Sequence, residues 1–383
     1  MNSSTTSPAT SGKVRYGFVA LGDIAQEAML PGVDHTGNSV VTALVTSDPV
    51  KAEKIGEKYG VGSTYAYEQF DELLESGQID ALYIATPNWR HAEFVIPALK
   101  AGIHVLVEKP LEVTVEKSRE IREAAKASGA KFMVAYRMHF EPATLALLDR
   151  IRGGELGDVN LFTSTFVQMV DPENHRAKSG DLAGPVFDMG PYPINASRYV
   201  FSAEPEEVFA TGVRYPESGL GDFDHTVAVT LRFPGNRLGQ FTVSYYGNTL
   251  ESYFVVGTKG SVHMQPAYMY GKSLEQDITI GTDERTESYA NTDHFGGELK
   301  YFSACILNGD DPEPDAEEGL VDVQIIEGIF ASLRSGKPEK LDIPQRTRRI
   351  DTTKQKVELP AQDTPELVNT SNPGKGQDKV PKN

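Results

Sequence analysis

The chain has 383 residues, with 37 lysines and arginines against 54 aspartates and glutamates, a net charge of −17. At roughly 100–200 residues per domain the length predicts two domains, and a hydrophobic content of 39% supports sizeable cores. The acidic balance disfavours nucleic acid and anionic lipid as partners, and the single cysteine, Cys305, excludes a disulfide framework and a cysteine-rich zinc site.

Residues 1–12 are rich in Ser, Thr, Pro and Ala, with neither a basic nor an apolar region of an export signal. A disordered arm on a cytoplasmic protein is expected. From residue 13 short apolar runs at 14–21, 40–46, 81–86, 104–108 and 132–136 alternate with helical periods at 25–30, 50–59, 68–76, 91–101 and 115–128. That alternation over 13–136 predicts a parallel sheet with helices on both faces. Pro97 falls inside the fourth helical period and is a candidate kink. A helix at 142–152 opens on proline and stops at Gly153-Gly154.

Beyond residue 155 the pattern changes to period two. Strands read at 208–214, 226–233, 238–246, 252–256 and 261–264, with helices at 193–200, 295–307 and 319–335. Residues 137–343 therefore read as an α+β domain with a large, open, mainly antiparallel sheet. Too few helices accompany that sheet to cover both faces, so association of two subunits through it, as a homodimer or homotetramer, is expected. Residues 344–383 read as a polar tail, extended at first, whose Arg346, Arg348, Arg349, Lys354 and Lys356 are taken as solvated.

Three strand ends carry candidate chemistry. The first strand runs into Ala20-Leu21-Gly22-Asp23-Ile24-Ala25, a Gly-x-Gly-x-x-Gly-type turn in which only the middle glycine survives. Small residues there let a backbone approach a pyrophosphate at a helix N-terminus. The second strand ends Thr46-Ser47-Asp48, with Lys51 one turn on, so the acidic position of an NAD site holds a hydroxyl. Two hydroxyls and a lysine fit a 2′-phosphate and favour NADP over NAD; Ser47 or Asp48 can also simply cap the next helix. The later strands end in Thr86-Pro87-Asn88-Trp89-Arg90-His91 and Glu108-Lys109-Pro110, and a third constellation is Asp188-Met189-Gly190-Pro191-Tyr192. Lys109 can alternatively snorkel to solvent or pair with Glu108. No two histidines stand within four residues of each other, and no metal site is expected.

Taken in order, these elements resemble the glucose–fructose oxidoreductase / inositol dehydrogenase (Gfo/Idh/MocA) family, from about residue 14 to 337. The Glu108-Lys109-Pro110 and Asp188-x-Gly190-x-Tyr192 pair is the most specific part. Many members carry histidine in place of Tyr192 and aspartate in place of Asn195. The Tyr/Asn version, with Tyr136-Arg137-x-His139-Phe140 and Asn195-x-x-Arg198-Tyr199, is similar to the glucose–fructose and aldose–aldose oxidoreductase branch. The branch's 2′-phosphate contacts map onto Thr46 and Lys51, while the export signal of its periplasmic representative is not visible here. The resemblance implies a Rossmann domain whose Ala20 to Ile24, Thr46, Ser47, Lys51, Tyr67, Thr86, Pro87, Asn88, His91, Glu108, Lys109 and Arg137 face NADP. It implies further that Lys109, Asp188, Tyr192 and His139 bind a sugar. Lys109 would favour the ionised form of Tyr192, which takes or returns the hydroxyl proton, and Asp188 would orient the sugar or Lys109. The rivals are a dehydrogenase that releases NAD(P) freely, acting on an aldose, inositol or dihydrodiol, and a non-catalytic nucleotide sensor on the same fold.

Overall fold

The computed structural model describes residues 12–178, 180–363 and 365–370. The expected disordered arm therefore lies outside the described residues except for Gly12, as does the end of the tail, 371–383. By packing, the chain forms two compact units. The first comprises residues up to Glu141 with Thr292–Leu320 and Thr353–Thr370; the second comprises Pro142–Asn291 with Val321–Thr352.

In the first unit, β1 (Val14–Val19), β2 (Ser39–Val45), β3 (Thr64–Tyr65), β4 (Ala81–Ile84), β5 (His104–Glu108) and β6 (Phe132–Ala135) form one sheet. Every pairing is parallel, in the order β3-β2-β1-β4-β5-β6. β4 is buried at all its residues, as a strand between two helical layers must be. The helices are α1 (Leu30–Thr36), α2 (Pro49–Tyr59), α3 (Phe70–Glu75), α4 (His91–Lys100) and α5 (Val115–Ser128). The turn of helix expected at 25–30 is a π-helix, Ala25–Met29, running into α1. Pro97 lies within α4, which continues past it to Lys100. The order of strands reverses between β1 and β4, and ligands bind such sheets at the carboxyl ends flanking that point.

The second unit contains α6 (Pro142–Arg152), β7 (Val159–Val167), α7 (His175–Lys178), α8 (Pro185–Asp188) and α9 (Pro191–Phe201). Then follow β8 (Glu207–Val213), β9 (Thr226–Phe233), β10 (Arg237–Ser244), β11 (Leu250–Gly257), β12 (Gly260–Met264), β13 (Leu274–Ile280) and β14 (Asp283–Tyr289). With β15 (Glu339–Lys340) they make a nine-stranded sheet, β14-β13-β12-β11-β7-β10-β9-β8-β15, antiparallel except for β7 with β10. Sequence reading omits β7, β13, β14 and β15. Thr163-Ser164-Thr165 breaks the apolar alternation of β7, and β14 is charged and mostly exposed, held as a strand by pairing with β13. Helices α6, α8 and α9 cover one face. On the other, Phe209, Val213, Leu238 and Phe254 stand 39–48% exposed.

Helix α10 (His294–Asn308) follows this sheet in sequence but packs with the first unit. Its Ser303 hydroxyl bonds both Tyr16 and Ser39 at 2.8 Å, and Asn38 donates to the Lys300 carbonyl at 2.9 Å. Helix α11 (Ala316–Ser335) starts in the first unit and continues in the second. The tail beyond β15 is an extended strap, as expected; Lys354 and Lys356 are exposed, but the strap is anchored at several points. Ile350 and Leu359 are buried, Gln355 is wholly so, and Arg349 is paired with buried Glu204 at 2.6 Å because that carboxylate needs a partner. Among the described residues no helix is long and apolar enough to cross a membrane.

Candidate active site

The turn after β1 is tight and open. Ala20 takes a left-handed conformation, φ +69°, while its N–H bonds Val45 on the neighbouring strand at 3.0 Å. Such a φ is uncommon outside glycine and asparagine and marks an enforced turn. A Cβ added to Gly22 would meet nothing within 4 Å, so the backbone there faces space rather than protein. Asp23 beside it has a buried Oδ1 without a partner. An exposed backbone at the start of a helix, with an unpaired acceptor next to it, fits the phosphate and ribose end of a dinucleotide. Gln26, which sequence reading passed over, is buried and donates to the Leu21 carbonyl at 2.8 Å, bracing this turn from within.

At the end of β2, Thr46 is buried, Ser47 is exposed and Lys51 is half-buried on the first turn of α2. Asp48 caps α2, its Oδ1 accepting from Val50 and Lys51 N–H at 2.9 and 3.2 Å. Its Oδ2 accepts from Asn369 at 3.0 Å, and that bond holds the carboxyl below the usual carboxylate range. Both oxygens of the one carboxylate here are thus occupied. After β4, the Thr86 hydroxyl is buried without a partner, and Asn88 opens a short turn that leaves Trp89 36% exposed. Tyr67 lies against Phe94 and under the Arg90 guanidinium, 5.6 and 5.0 Å between centres.

The expected residues around β5 divide into two groups. Lys109, half-buried, follows the strand end and joins Pro110 through a cis peptide. Glu108 and His91 turn into the protein. Glu108 accepts from the Tyr83 hydroxyl at 2.7 Å, and burial pushes its carboxyl up against the pull of Lys109. His91 is wholly buried, with Nε2 at 3.1 Å from the Thr86 carbonyl and Nδ1 at 3.1 Å from those of Pro110 and Leu111. Its ring ties the loop after β4 to the segment carrying Lys109, and burial lowers its pKa to about 4. Arg137 and His139 are buried too, Arg137 over the Phe295 ring at 5.6 Å and His139 stacked on Tyr136 at 5.5 Å. Sequence reading missed Glu298 on α10, fully buried with neither oxygen partnered; burial, then Glu108, push its carboxyl well up. A glutamate inside the apolar stretch of α10 was the available signal.

In the second unit, Asp188 ends α8 and Tyr192 stands in the first turn of α9. Pro191 has no N–H to give, which breaks the helix between them, yet Met189 and Gly190 keep helical angles. Asp188 and Tyr192 therefore lie about one turn apart. A Cβ on Gly190 would run into the Val186 carbonyl, so this junction requires glycine. Asp188 accepts from the Tyr245 hydroxyl at 2.8 Å and pairs with Arg176 at 3.7 Å. The Tyr192 ring packs against Phe166 and Tyr268, each 5.6 Å between centroids. Asn195 and Arg198 are built differently, into a buried ion network with Glu204 and Asp322.

A parallel sheet with an open glycine turn after its first strand is the architecture of a dinucleotide-binding domain. Residues 14–136 match the oxidoreductase family with an NAD-binding Rossmann fold, and residues 144–263 match the GFO/IDH/MocA C-terminal domain. The chain belongs to this GFO/IDH/MocA oxidoreductase family. It is 32% identical over 344 residues to D-xylose 1-dehydrogenase [NADP(+)] of Haloarcula marismortui, covering 87% of this chain and 95% of the relative. It is 31% identical to trans-1,2-dihydrobenzene-1,2-diol dehydrogenase of Mus musculus, over 66% of this chain and 74% of that protein. Among solved structures, aldose–aldose oxidoreductase from Caulobacter crescentus, complexed with glycerol, superposes with a TM-score of 0.81 at 30% identity. That match covers 86% of this chain and all (100%) of that one.

Proposed function

We propose that the protein is an NADP-dependent sugar oxidoreductase that moves hydride between a sugar hydroxyl or carbonyl carbon and the nicotinamide. The observation that carries the cofactor choice is the end of β2, where a buried threonine hydroxyl stands in place of the acidic residue and Lys51 lies on the first turn of α2. An NAD site needs a free carboxylate there for the ribose hydroxyls, whereas a 2′-phosphate needs donors and positive charge, which Thr46, Ser47 and Lys51 offer. Similarity to an NADP-linked xylose dehydrogenase and to aldose–aldose oxidoreductase supports the sugar as substrate.

When bound, the nicotinamide accepts or returns hydride at its C4. The residues of the chain handle the proton. Lys109 donates to the reacting sugar oxygen and keeps negative charge on it tolerable. Tyr192 takes the hydroxyl proton in oxidation and returns one in reduction. Asp188 accepts from a sugar hydroxyl and is itself held by Tyr245. His91 and Glu108 hold the frame on which Lys109 stands.

The same reading has NADP retained through the cycle, so that one sugar is oxidised and a second is reduced. Dialysed protein given an aldose and a second carbonyl sugar should then form aldonic acid without added cofactor. Acid appearing only with stoichiometric NADP would instead establish the freely dissociating dehydrogenase. Lys51→Ala should weaken NADP binding by about tenfold and leave NAD nearly unchanged, since only NADP carries the extra phosphate. Equal losses for both, by calorimetry, would remove Lys51 from the site. The open face of the large sheet, with Phe209, Val213, Leu238 and Phe254, is the surface through which two copies associate.

A further inference from the structure

The segment 353–370 packs on the first unit and takes no part in the chemistry described so far. It is fastened first to α10. Thr292 bridges Pro360, Asp293 N–H bonds the Leu359 carbonyl at 3.0 Å, and Gln362 bonds the Asp293 carboxylate. It then crosses the groove between α1 and α2, where Gln362 and Asp363 share a polar cavity with Asp34 and Lys58. At the head of that groove Val368 pairs with the Gln26 amide in both directions, N–H to Oε1 at 2.7 Å and C=O from Nε2 at 3.0 Å. The same Nε2 bonds the Leu21 carbonyl in the turn after β1. One residue on, Asn369, left-handed at φ +49°, gives its amide to Asp48 Oδ2 in the turn after β2. Two consecutive residues thus tie together the two loops that flank the adenosine end of the cofactor crevice.

We infer that residues 365–370 are part of the cofactor site, a strap latched on Gln26 and Asp48 that slows dinucleotide release and, through Asn369, selects the 2′-phosphorylated form. The inference rests on the cofactor reading above. The selectivity follows from the inventory of one carboxylate. Oδ1 of Asp48 accepts from two N–H groups of α2, so a ribose 2′-hydroxyl would turn to Oδ2, where the Asn369 amide competes with it. With Asn369 removed that competition is lifted, so the 2′-hydroxyl of NAD gains an acceptor while the charge that a 2′-phosphate meets stays the same. Retention follows from the bridge, since loops tied together by Val368 and Asn369 open less readily to release the adenosine end between them.

Two full-length variants separate these effects. Asn369 is exposed and Val368 half-buried, so Asn369→Ala and Val368→Pro leave the core intact. Proline deletes the N–H that Gln26 accepts. Asn369→Ala should lower the ratio of NADP to NAD affinity by about 3- to 10-fold, by calorimetry. Val368→Pro should speed release of bound NADPH by about tenfold, followed by stopped-flow fluorescence during displacement with excess NADP. Amide exchange within 365–370 should slow when NADP is added to the wild type. Release rates and affinity ratios within about twofold of wild type in both variants would overturn the strap's role, given the bonds counted here. A full-length protein that binds neither dinucleotide would refute the cofactor reading and the strap with it; one that binds NADP while the variants behave as wild type refutes the strap alone.

Discussion

Arg198→Met tests how far the second unit depends on buried charge. The Arg198 side chain is 1% exposed, and its two carboxylate partners are at 0%. Nε donates to Glu204 Oε2 at 2.5 Å and one terminal nitrogen to Asp322 Oδ1 at 2.6 Å. Arg349 donates to the other oxygen of Glu204 at 2.6 Å, while Asn195 reaches Asp322 at 3.4 Å. Methionine keeps much of the side chain's length and removes the charge. Glu204 then retains Arg349, while Asp322 loses the charged bond at 2.6 Å inside the protein. Breaking a buried pair from one side costs about 3–5 kcal/mol because the other charge stays behind. The second partner of Glu204 places the expectation in the lower part of that range, about 3–4 kcal/mol. For a unit of this size each kcal/mol shifts the melting midpoint by about 2–4 °C, so a loss of roughly 6–16 °C is expected. Adding Asp322→Asn should recover at least about 1 kcal/mol, since the buried negative charge goes with the positive one. Scanning calorimetry and far-ultraviolet circular dichroism are the assays, because the single tryptophan, Trp89, reports the first unit only. A midpoint within about 2 °C of wild type, or a double variant worse than the single, would refute the reasoning.

Tyr192→Phe and Lys109→Met should each slow single-turnover hydride transfer by about 10²–10⁴-fold, and a rate near wild type would remove that residue from the mechanism. His91 predicts an acid-labile first unit. Its folded pKa of about 4 lies below the ordinary 6.5, so its contribution to stability is full above pH 6.5 and is lost as pH falls through 4. Proton uptake on unfolding near pH 5 should drop by about one in His91→Gln, and an unchanged uptake would show that the ring is not held neutral. Phe209→Asp with Phe254→Asp should turn a dimer or tetramer into a monomer by light scattering. A monomeric wild type at micromolar concentration contradicts association through that face.

Much of the first unit was legible because its signals are local. The alternation of apolar runs with helical periods acts within a few residues, and it located β1, β2, β4, β5 and β6 to within two residues. The loops that could carry chemistry followed, because a parallel sheet puts them at its carboxyl edge. The inward turn of His91 and Glu108 was not legible. A polar residue in these segments has the same sequence signature whether it faces a ligand or, like His91 and Glu108, bonds a carbonyl or a hydroxyl inside the protein.

Residue types and spacing by themselves determined the class of fold, the turn after β1, the hydroxyl at the end of β2 and the order of the Lys109, Asp188 and Tyr192 elements. Only the tertiary structure decided that β13 and β14 are strands, since a chain as polar as 283–289 gains its β conformation from a neighbour's backbone. It alone placed α10 with the first sheet, Arg198 among carboxylates, and Asn369 on Asp48, 321 residues away in sequence. Contacts over that separation depend on where the whole chain has already been brought, and no local pattern encodes them.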